Sequence, residues 1–187
     1  MPDRLYYTEN DEANELLARD PLALLVGFVL DQQVSVQKAF TGPLELKRRL
    51  GRFDAASIAG ADPGELERVF REPPAIHRYP GVMAKRVQDL CAAVESEYAG
   101  DAARVWTEAE DGQELRRRLL ELPGIGDMKA RSLIAIVGKR LGYRPPGWEE
   151  VAPNHPTLGD VDSPEALERY QEAKRAHKSQ LRARSSA

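Results

Sequence analysis

The strongest constraint on how this chain folds is a five-residue turn, Leu122-Pro123-Gly124-Ile125-Gly126, between two amphipathic helical segments. Its glycines permit positive φ angles and a tight hairpin, and they let the backbone come very close to a ligand. The amides that open the next helix, predicted over Asp127 to Leu141, carry partial positive charge and suit a phosphate. An ordinary glycine-rich connection between two helices is the alternative interpretation.

The composition favours a helical protein with an aliphatic core. The chain has 187 residues, of which 42% are hydrophobic and only 6% aromatic, so it is long enough to bury a core of Leu, Val, Ile and Ala. Its most apolar stretch, Pro21 to Leu30, is too short to span a membrane, and the acids before it argue against a signal peptide. Cys91 is the only cysteine, which excludes an internal disulfide and any all-cysteine zinc or iron–sulfur site. We therefore expect no cofactor.

Helix-start signals recur along the chain. Asp20, Asp62 and Ser163 each precede a proline, which is the pattern of an N-cap followed by proline at the first helical position. Ser35 predicts a short helix to Phe40, with a separate helix over Leu44 to Leu50. No segment alternates with period two for long enough to be a convincing strand. The sequence therefore predicts an all-α fold of eight to ten helices.

Positive charge is concentrated in two places although the formal net charge is −3. Pro123 to Gly147 holds five basic residues and one acid, and the segment from Ser163 onward holds six basic residues and three acids. Acids gather over Asp3 to Asp20. A local basic face on such a protein can still bind phosphates, with strong salt dependence.

Two further segments accompany the hairpin. In Asp31-Gln32-Gln33-Val34-Ser35, two amides at a helix junction can bond to bases or backbone without carrying charge. Tyr79-Pro80-Gly81-Val82-Met83-Ala84-Lys85-Arg86 leads from a turn into a long helix. With the hairpin, the three segments resemble the helix-hairpin-helix (HhH-GPD) DNA glycosylase superfamily, closest to its 3-methyladenine glycosylase and endonuclease III-like branch without an iron–sulfur cluster. The resemblance covers about Leu22 to Arg169.

The resemblance implies a two-lobed helical unit over residues 1–180, with a central lobe at about 22–122 and a second lobe formed by 123–180 together with 1–21. A basic tail, 181–187, is expected to be disordered. It also implies a monomer that binds double-stranded DNA, not a membrane, in the cytoplasm or at a bacterial nucleoid. The implied DNA-binding residues are Gln32, Gln33, Gly124, Gly126, Lys129 and Arg131.

One departure from the family pattern affects the expected chemistry. Bifunctional members of the superfamily carry a lysine two positions after the last hairpin glycine, and that lysine forms a Schiff base with the sugar. Met128 occupies this position here. Lys129 lies one residue later, about 100° around the helix. In that position it is better placed to bind a phosphate than to reach the active-site pocket. We therefore expect no lysine-based lyase activity.

The second departure concerns the aspartate that the superfamily places about 18 to 20 residues after that position. No aspartate lies there, so Glu149 or Glu150 substitutes, or an extended loop supplies the acid from Leu158-Gly159-Asp160-Val161-Asp162-Ser163. The Val-Asp dipeptide before a helix favours Asp162 as the catalytic carboxylate and Asp160 as the second choice. Alternatively, Asp162 and Ser163 only cap that helix.

The remaining candidates are aromatic and histidine side chains. The aromatic candidates for stacking on an extruded base are Trp148, Trp106, Tyr79 and Tyr143, although core packing is the commoner fate. Trp148 is the first choice because it lies in the long loop predicted over Arg144 to Asp162. We expect His77 and His155 at the surface, and the histidines show no metal-ligand spacing.

The function implied is a base excision repair protein, a monofunctional DNA N-glycosylase acting on damaged bases such as alkylated ones. A non-catalytic DNA-binding protein on the same scaffold is the alternative, favoured by the missing lysine and the mild acidity. A helical module whose hairpin binds protein is a third interpretation.

Overall fold

Apolar stripes and capping residues along this chain form helices throughout. The computed structural model describes residues 2–186, which contain eleven α-helices, one 3-10 helix and no strand, confirming the predicted all-α fold. The helices are α1 (Asp11–Arg19), α2 (Pro21–Leu30), α3 (Val36–Leu50), α4 (Ala55–Ala59), α5 (Pro63–Arg71), α6 (Pro80–Tyr98), α7 (Arg104–Thr107), α8 (Gly112–Glu121), α9 (Asp127–Lys139), α10 (Trp148–Val151), the 3-10 helix Leu158–Asp160, and α11 (Pro164–Ser185).

The predicted caps begin helices where the sequence places them. The Asp20 carboxylate accepts from the amides of Leu22, at 2.9 Å, and Ala23, and Ser163 Oγ accepts from Ala166 N at 3.1 Å. These bonds satisfy amides that have no partner inside the helix. Every residue of α2 after Pro21 is buried, which makes α2 the central helix of the fold.

Two helix boundaries differ from prediction. α3 is continuous through Pro43, where two helices were expected, because Phe40, Pro43 and Leu44 are all buried and packing outweighs one missing backbone hydrogen bond. The predicted long loop contains α10 and the 3-10 helix Leu158–Asp160. Their close packing on α8 and α9 gives this segment its structure.

The basic tail is the clearest correction to the predicted domain plan. Residues 181–185 form the end of α11 rather than a disordered tail. After Pro164 the sequence has no glycine or proline, and its Ala, Arg, Lys, Gln and Leu residues are strong helix formers. Residues 1 and 187 of the predicted plan lie outside the described part of the chain.

The packing of the helices joins both halves of the chain in one core. α1 packs on α2 and α3, whereas α8 packs on α9, so the expected lobe boundary at 122/123 falls inside a packed hairpin. Buried side chains from both halves form one contiguous cluster. The division into two lobes stays a prediction. Cys91 is part of this cluster, and burial raises the pKa of its thiol to about 12.

Within residues 2–186, no helix combines the length and the apolar content needed to cross a bilayer.

Gly159 provides a test of how tightly the 3-10 helix packs on α9. A Cβ added at Gly159 would lie 2.7 Å from the carbonyl carbon of Ala135, so the two backbones would have to separate. We expect Gly159→Ala to lower the free energy of unfolding by about 1–3 kcal/mol. The measurement is urea unfolding, with Gly64→Ala in α5 as control.

The control should not lower the free energy of unfolding. Gly64 is helical, and its added Cβ would meet only the Asp62 carboxylate, at 3.2 Å. Alanine there should leave stability unchanged or raise it by up to about 1 kcal/mol. Equal effects of the two substitutions would contradict the packing described here.

Candidate nucleic-acid interface

The glutamine loop, residues 31–35, connects the central helix α2 to α3. Asp31 is the C-cap of α2, and Ser35 caps α3 by accepting from Lys38 N at 3.1 Å. Gln33 is exposed and has a φ of 55°, in the left-handed region that costs a non-glycine residue about 1 kcal/mol. Contacts with residues outside the loop must stabilise this conformation.

His77 supplies the first part of that support. Its imidazole is buried, and Nε2 lies 3.1 Å from the Leu30 carbonyl oxygen and 3.0 Å from that of Gln32. Nδ1 accepts from Tyr79 N at 3.1 Å. Because both carbonyl oxygens can only accept, Nε2 carries the proton, and because Nδ1 accepts from Tyr79 N it carries none, so the ring is neutral. Burial lowers the pKa of His77, with the two backbone bonds opposing it. The expectation that His77 lies at the surface was wrong.

The two glutamine side chains are held by the segment that leads into α6. Arg86 donates to Gln32 Oε1, and the Tyr79 hydroxyl donates to Gln33 Oε1 at 3.1 Å. The Tyr79 ring remains 39% exposed beside the loop. The structure therefore places Tyr79 at this site. Trp148, the predicted stacking residue, instead lies on Gly138 of α9, where it leaves no room for a Cβ.

The hairpin lies next to the glutamine loop. Gly124 has a φ of +82°, and a Cβ there would lie 3.1 Å from a methyl carbon of Val29 in α2. Gly126 is the N-cap of α9 and gives no side-chain cap, so the amides of the first three residues of α9 have no partner within residues 2–186. Open amides at a helix N-terminus bind anions well.

Lys129 and Arg131 differ in the contacts that their side chains make. Lys129 is half-buried with Nζ 3.5 Å from the Gly124 carbonyl oxygen, and burial lowers its pKa while Asp31 opposes that effect. Arg131 is exposed and forms an ion pair with Asp127, which also accepts from Arg116 at 2.6 Å. Lys129 is thus the cation directed toward the hairpin.

Met128 occupies the position of the family lysine and is 82% exposed. It lies on the first turn of α9, beside the open amides. Its thioether carries no charge and cannot form a Schiff base.

Asp31 is a candidate that sequence reasoning missed. Burial raises the pKa of its carboxyl, while the charges of Lys174 and Lys129 act in the opposite direction. No hydrogen bond or ion pair to this carboxylate is formed by the described residues. Asp31 is half-buried, and a carboxylate that is partly removed from water without a direct partner is typical of functional sites. The sequence feature that could have identified Asp31 is an acidic residue immediately after a fully apolar helix.

The two predicted catalytic aspartates lie at the other end of α9. Asp160 pairs with Lys139, and its Oδ2 accepts from Thr157 N at 2.9 Å, as part of a capping box. Although burial raises the pKa of Asp160, these bonds lower it overall. α9 has 13 residues, about 20 Å of helix, between Lys139 and the hairpin. Asp160 is thus not brought to the glutamine loop.

Asp162 is exposed and lines a cavity of about 320 Å³ with Arg4, Tyr6 and Arg140. Arg140 Nε is buried there without a hydrogen-bond partner among the described residues. Glu149 and Glu150, the alternative acids, are exposed on α10.

No group of three or more His, Cys, Asp or Glu side chains in the described part of the chain is placed to hold a metal ion.

Comparison with known protein families matches residues 26–186 to a family described as HhH-GPD superfamily base excision DNA repair protein. Comparison with curated proteins finds no match, and comparison with solved structures finds none either. The match spans α3 to α11 and includes the glutamine loop and the hairpin.

His77 makes the stability of the protein depend on pH. Above about pH 6.5 the imidazole is neutral in both states, but below it the unfolded chain binds a proton that the buried ring resists. The free energy of unfolding should therefore fall as the pH drops below about 6.5. The fall should end once the pH is below the lowered pKa of the folded ring. We expect a smaller fall in His77→Gln, which has no group to titrate there. Urea unfolding at pH 7.5 and 5.5 measures both, and equal falls would show that His77 is not the cause.

Proposed function

The chain belongs to the HhH-GPD superfamily of base excision DNA repair proteins, and from this premise we propose that it is a monofunctional DNA N-glycosylase with alkylated bases as its favoured substrates. The observation that carries the proposal is the hairpin with open amides beside a glutamine loop held by the buried His77 ring and by the Tyr79 hydroxyl. We further propose that it acts as a monomer on duplex DNA, in the cytoplasm or at a bacterial nucleoid.

In this proposal the hairpin holds a phosphate of the damaged strand. The Gly124 and Gly126 backbone lets a phosphate oxygen approach, because both glycines are exposed and no side chain covers the amides at the start of α9. Lys129 adds a positive charge on the same side. The ion pair of Arg131 with Asp127 assigns Arg131 a secondary part in binding.

The glutamine loop takes the place of the base that leaves the stack. Extruding a base costs a few kcal/mol, and least at a damaged pair. Gln33 is exposed, held in one conformation by Tyr79, and able to donate or accept hydrogen bonds with the orphaned partner base. Gln32 is held back by Arg86 and the His77 contact, which keeps the loop rigid on insertion.

The reaction breaks the N-glycosidic bond with its electron pair going to the base. An alkylated base that carries positive charge leaves as a neutral molecule, so it needs no strong acid. The sugar is left with oxocarbenium character, which a carboxylate stabilises until water adds. With Met128 in the family lysine position, the chain has no amine there to form a Schiff base.

There are two candidate locations for the catalytic carboxylate. Asp162 is the proposal that follows from the family resemblance, with Asp160 second, and Asp162 has the advantage that it forms no ion pair with any of residues 2–186. Asp31 is favoured by location, since it is the first residue of the glutamine loop and is influenced by Lys174 and Lys129. A carboxylate must be close to the sugar to stabilise its charge.

A non-catalytic DNA-binding protein is the second candidate. The observation that favours it is the separation of Asp160 from the hairpin by the length of α9, which keeps one of the two predicted family aspartates away from the loop.

Base release from a duplex panel with methylated, deaminated and oxidised bases tests the enzyme. We expect release by the wild type on alkylated duplex and a fall of 10²-fold or more, of the order seen on loss of one transition-state contact, when the catalytic carboxylate is neutralised. Asp162→Asn, Asp160→Asn and Asp31→Asn identify which one it is.

Glu168→Gln, an exposed change on α11, is the matched control and should release base at the wild-type rate. Borohydride should trap no covalent complex in these reactions, because the family lysine is missing. Absence of release from every lesion, with DNA binding intact, would leave the non-catalytic candidate.

The hairpin can be tested apart from catalysis with Gly126→Ser. Gly126 has φ −91° and ψ −177°, which an N-cap serine adopts, and its added side chain meets open space. Serine would cap α9 and change stability by only a few tenths of a kcal/mol. Its hydroxyl would also occupy the amides meant for the phosphate, so duplex affinity should fall. Lys129→Glu should weaken binding further and flatten its salt dependence. Unchanged affinity in both variants would point to a hairpin that binds protein.

A further inference from the structure

The second half of α11, residues 173–185, is a basic helix without partners in the fold. Every described residue from 172 onward is exposed, and none of the basic residues from 174 to 186 is in an ion pair within the described chain. Elsewhere in this protein exposed arginines and lysines are commonly paired with a neighbouring acid, as Arg68 is with Glu65. This stretch contains five Lys and Arg residues and no acid.

Four of the five cations share one face, which we call the basic stripe: Lys174, Arg175, Lys178 and Arg182. At 100° and 1.5 Å per residue they fall within an arc of about 100° and span about 12 Å along the axis. Like charges four residues apart destabilise a helix, as in the series 174, 178 and 182. A bound polyanion would remove that repulsion.

The charge of the rest of the chain determines how much the positive charge of residues 173–185 matters for binding a polyanion. Because the whole chain carries −3 and residues 173–185 carry +5, the remainder carries −8. A body of that charge repels a polyanion at long range, so attraction must come from local cations.

The stripe begins at the candidate interface. The Gln171 and Gln37 side-chain amides exchange two hydrogen bonds, of 2.9 and 3.0 Å, which fix α11 to α3 just after the glutamine loop. One turn further on, Lys174 Nζ lies 5.8 Å from the centre of the Tyr170 ring, and its charge acts on Asp31. From that point α11 continues outward, away from the core.

We propose that the basic stripe of α11 is a second DNA contact, which binds consecutive backbone phosphates beside the glutamine loop. The inference rests on the proposed function, because it takes DNA as the partner. The phosphates of one strand follow each other every 3.4 Å along the duplex axis, so a 12 Å stripe covers about three or four of them. A membrane surface fits poorly, since Leu181 is the only large apolar side chain in residues 173–185.

The test is the salt dependence of binding to an undamaged duplex. The variant is Arg175→Gln/Lys178→Gln/Arg182→Gln, which spares Lys174 because of its place near Asp31. Each lost phosphate contact reduces the slope of log K against log salt by about 0.9, so we expect a reduction of up to about 2.7. The ratio of wild-type to variant affinity should then fall about 40-fold between 50 and 200 mM salt. Circular dichroism checks that the variant keeps its helix content.

A matched control removes the same charge from another surface. Arg52→Gln/Arg68→Gln/Arg71→Gln changes three exposed arginines that are paired with Asp54, Glu65 and Glu67. Its slope should stay within about 0.5 of the wild-type slope. An equal reduction in both triple variants would overturn the proposal, because net charge alone would explain it.

The outcomes separate this inference from the glycosylase proposal. A reduced slope in the stripe variant, with no base release from any lesion by the wild type, would support the stripe and end the glycosylase proposal. Base release by the wild type with an unchanged slope in the variant would overturn the stripe only. Loss of binding to phosphatidylserine vesicles, with an unchanged DNA slope, would also overturn it in favour of a membrane surface.

Discussion

The candidate interface depends on one close contact, between the hairpin backbone at Gly124 and Val29 near the end of α2. A positive φ and a neighbour 3.1 Å from the missing Cβ both require glycine at position 124. The contact brings the open start of α9 beside the loop that follows the central helix. Because α2 is buried along nearly its whole length, both parts are attached to a tightly packed helix. A phosphate site and a base-probing loop need such a fixed spacing to act on one nucleotide.

The glutamine loop shows how polar groups are kept at the end of an apolar helix. His77 lies in the interior as a neutral ring and binds two loop carbonyl groups, while Tyr79 and Arg86 hold the two glutamine side chains. These contacts offset the cost of the left-handed conformation of Gln33 and leave its side chain exposed. The result is a strained loop conformation held by contacts with other parts of the chain, which suits the proposed insertion into a base stack.

The location of positive charge on this protein matters more than its total amount. Most exposed arginines outside α11 are paired with acids on the same helix, and such pairs contribute little to stability at the surface. Their effect is to cancel positive charge over the body of the protein. The hairpin amides, Lys129 and the basic stripe of α11 keep positive charge at the candidate interface. An acidic pI is therefore compatible with a protein that binds DNA at one place.

The sequence by itself determined the helical fold, its main caps and the hairpin, because N-caps, prolines and glycines act within a few residues of one another. Asp20 and Ser163 begin helices for that local reason. Tertiary structure alone decided that His77 is buried beneath a loop 45 residues away, and that Asp160 pairs with Lys139 rather than approaching the hairpin. The partner that decides each of these side chains' positions is distant in the sequence and comes close only after α2, α6, α9 and the 3-10 helix have packed. Local patterns therefore specify the elements, and packing specifies which charges meet.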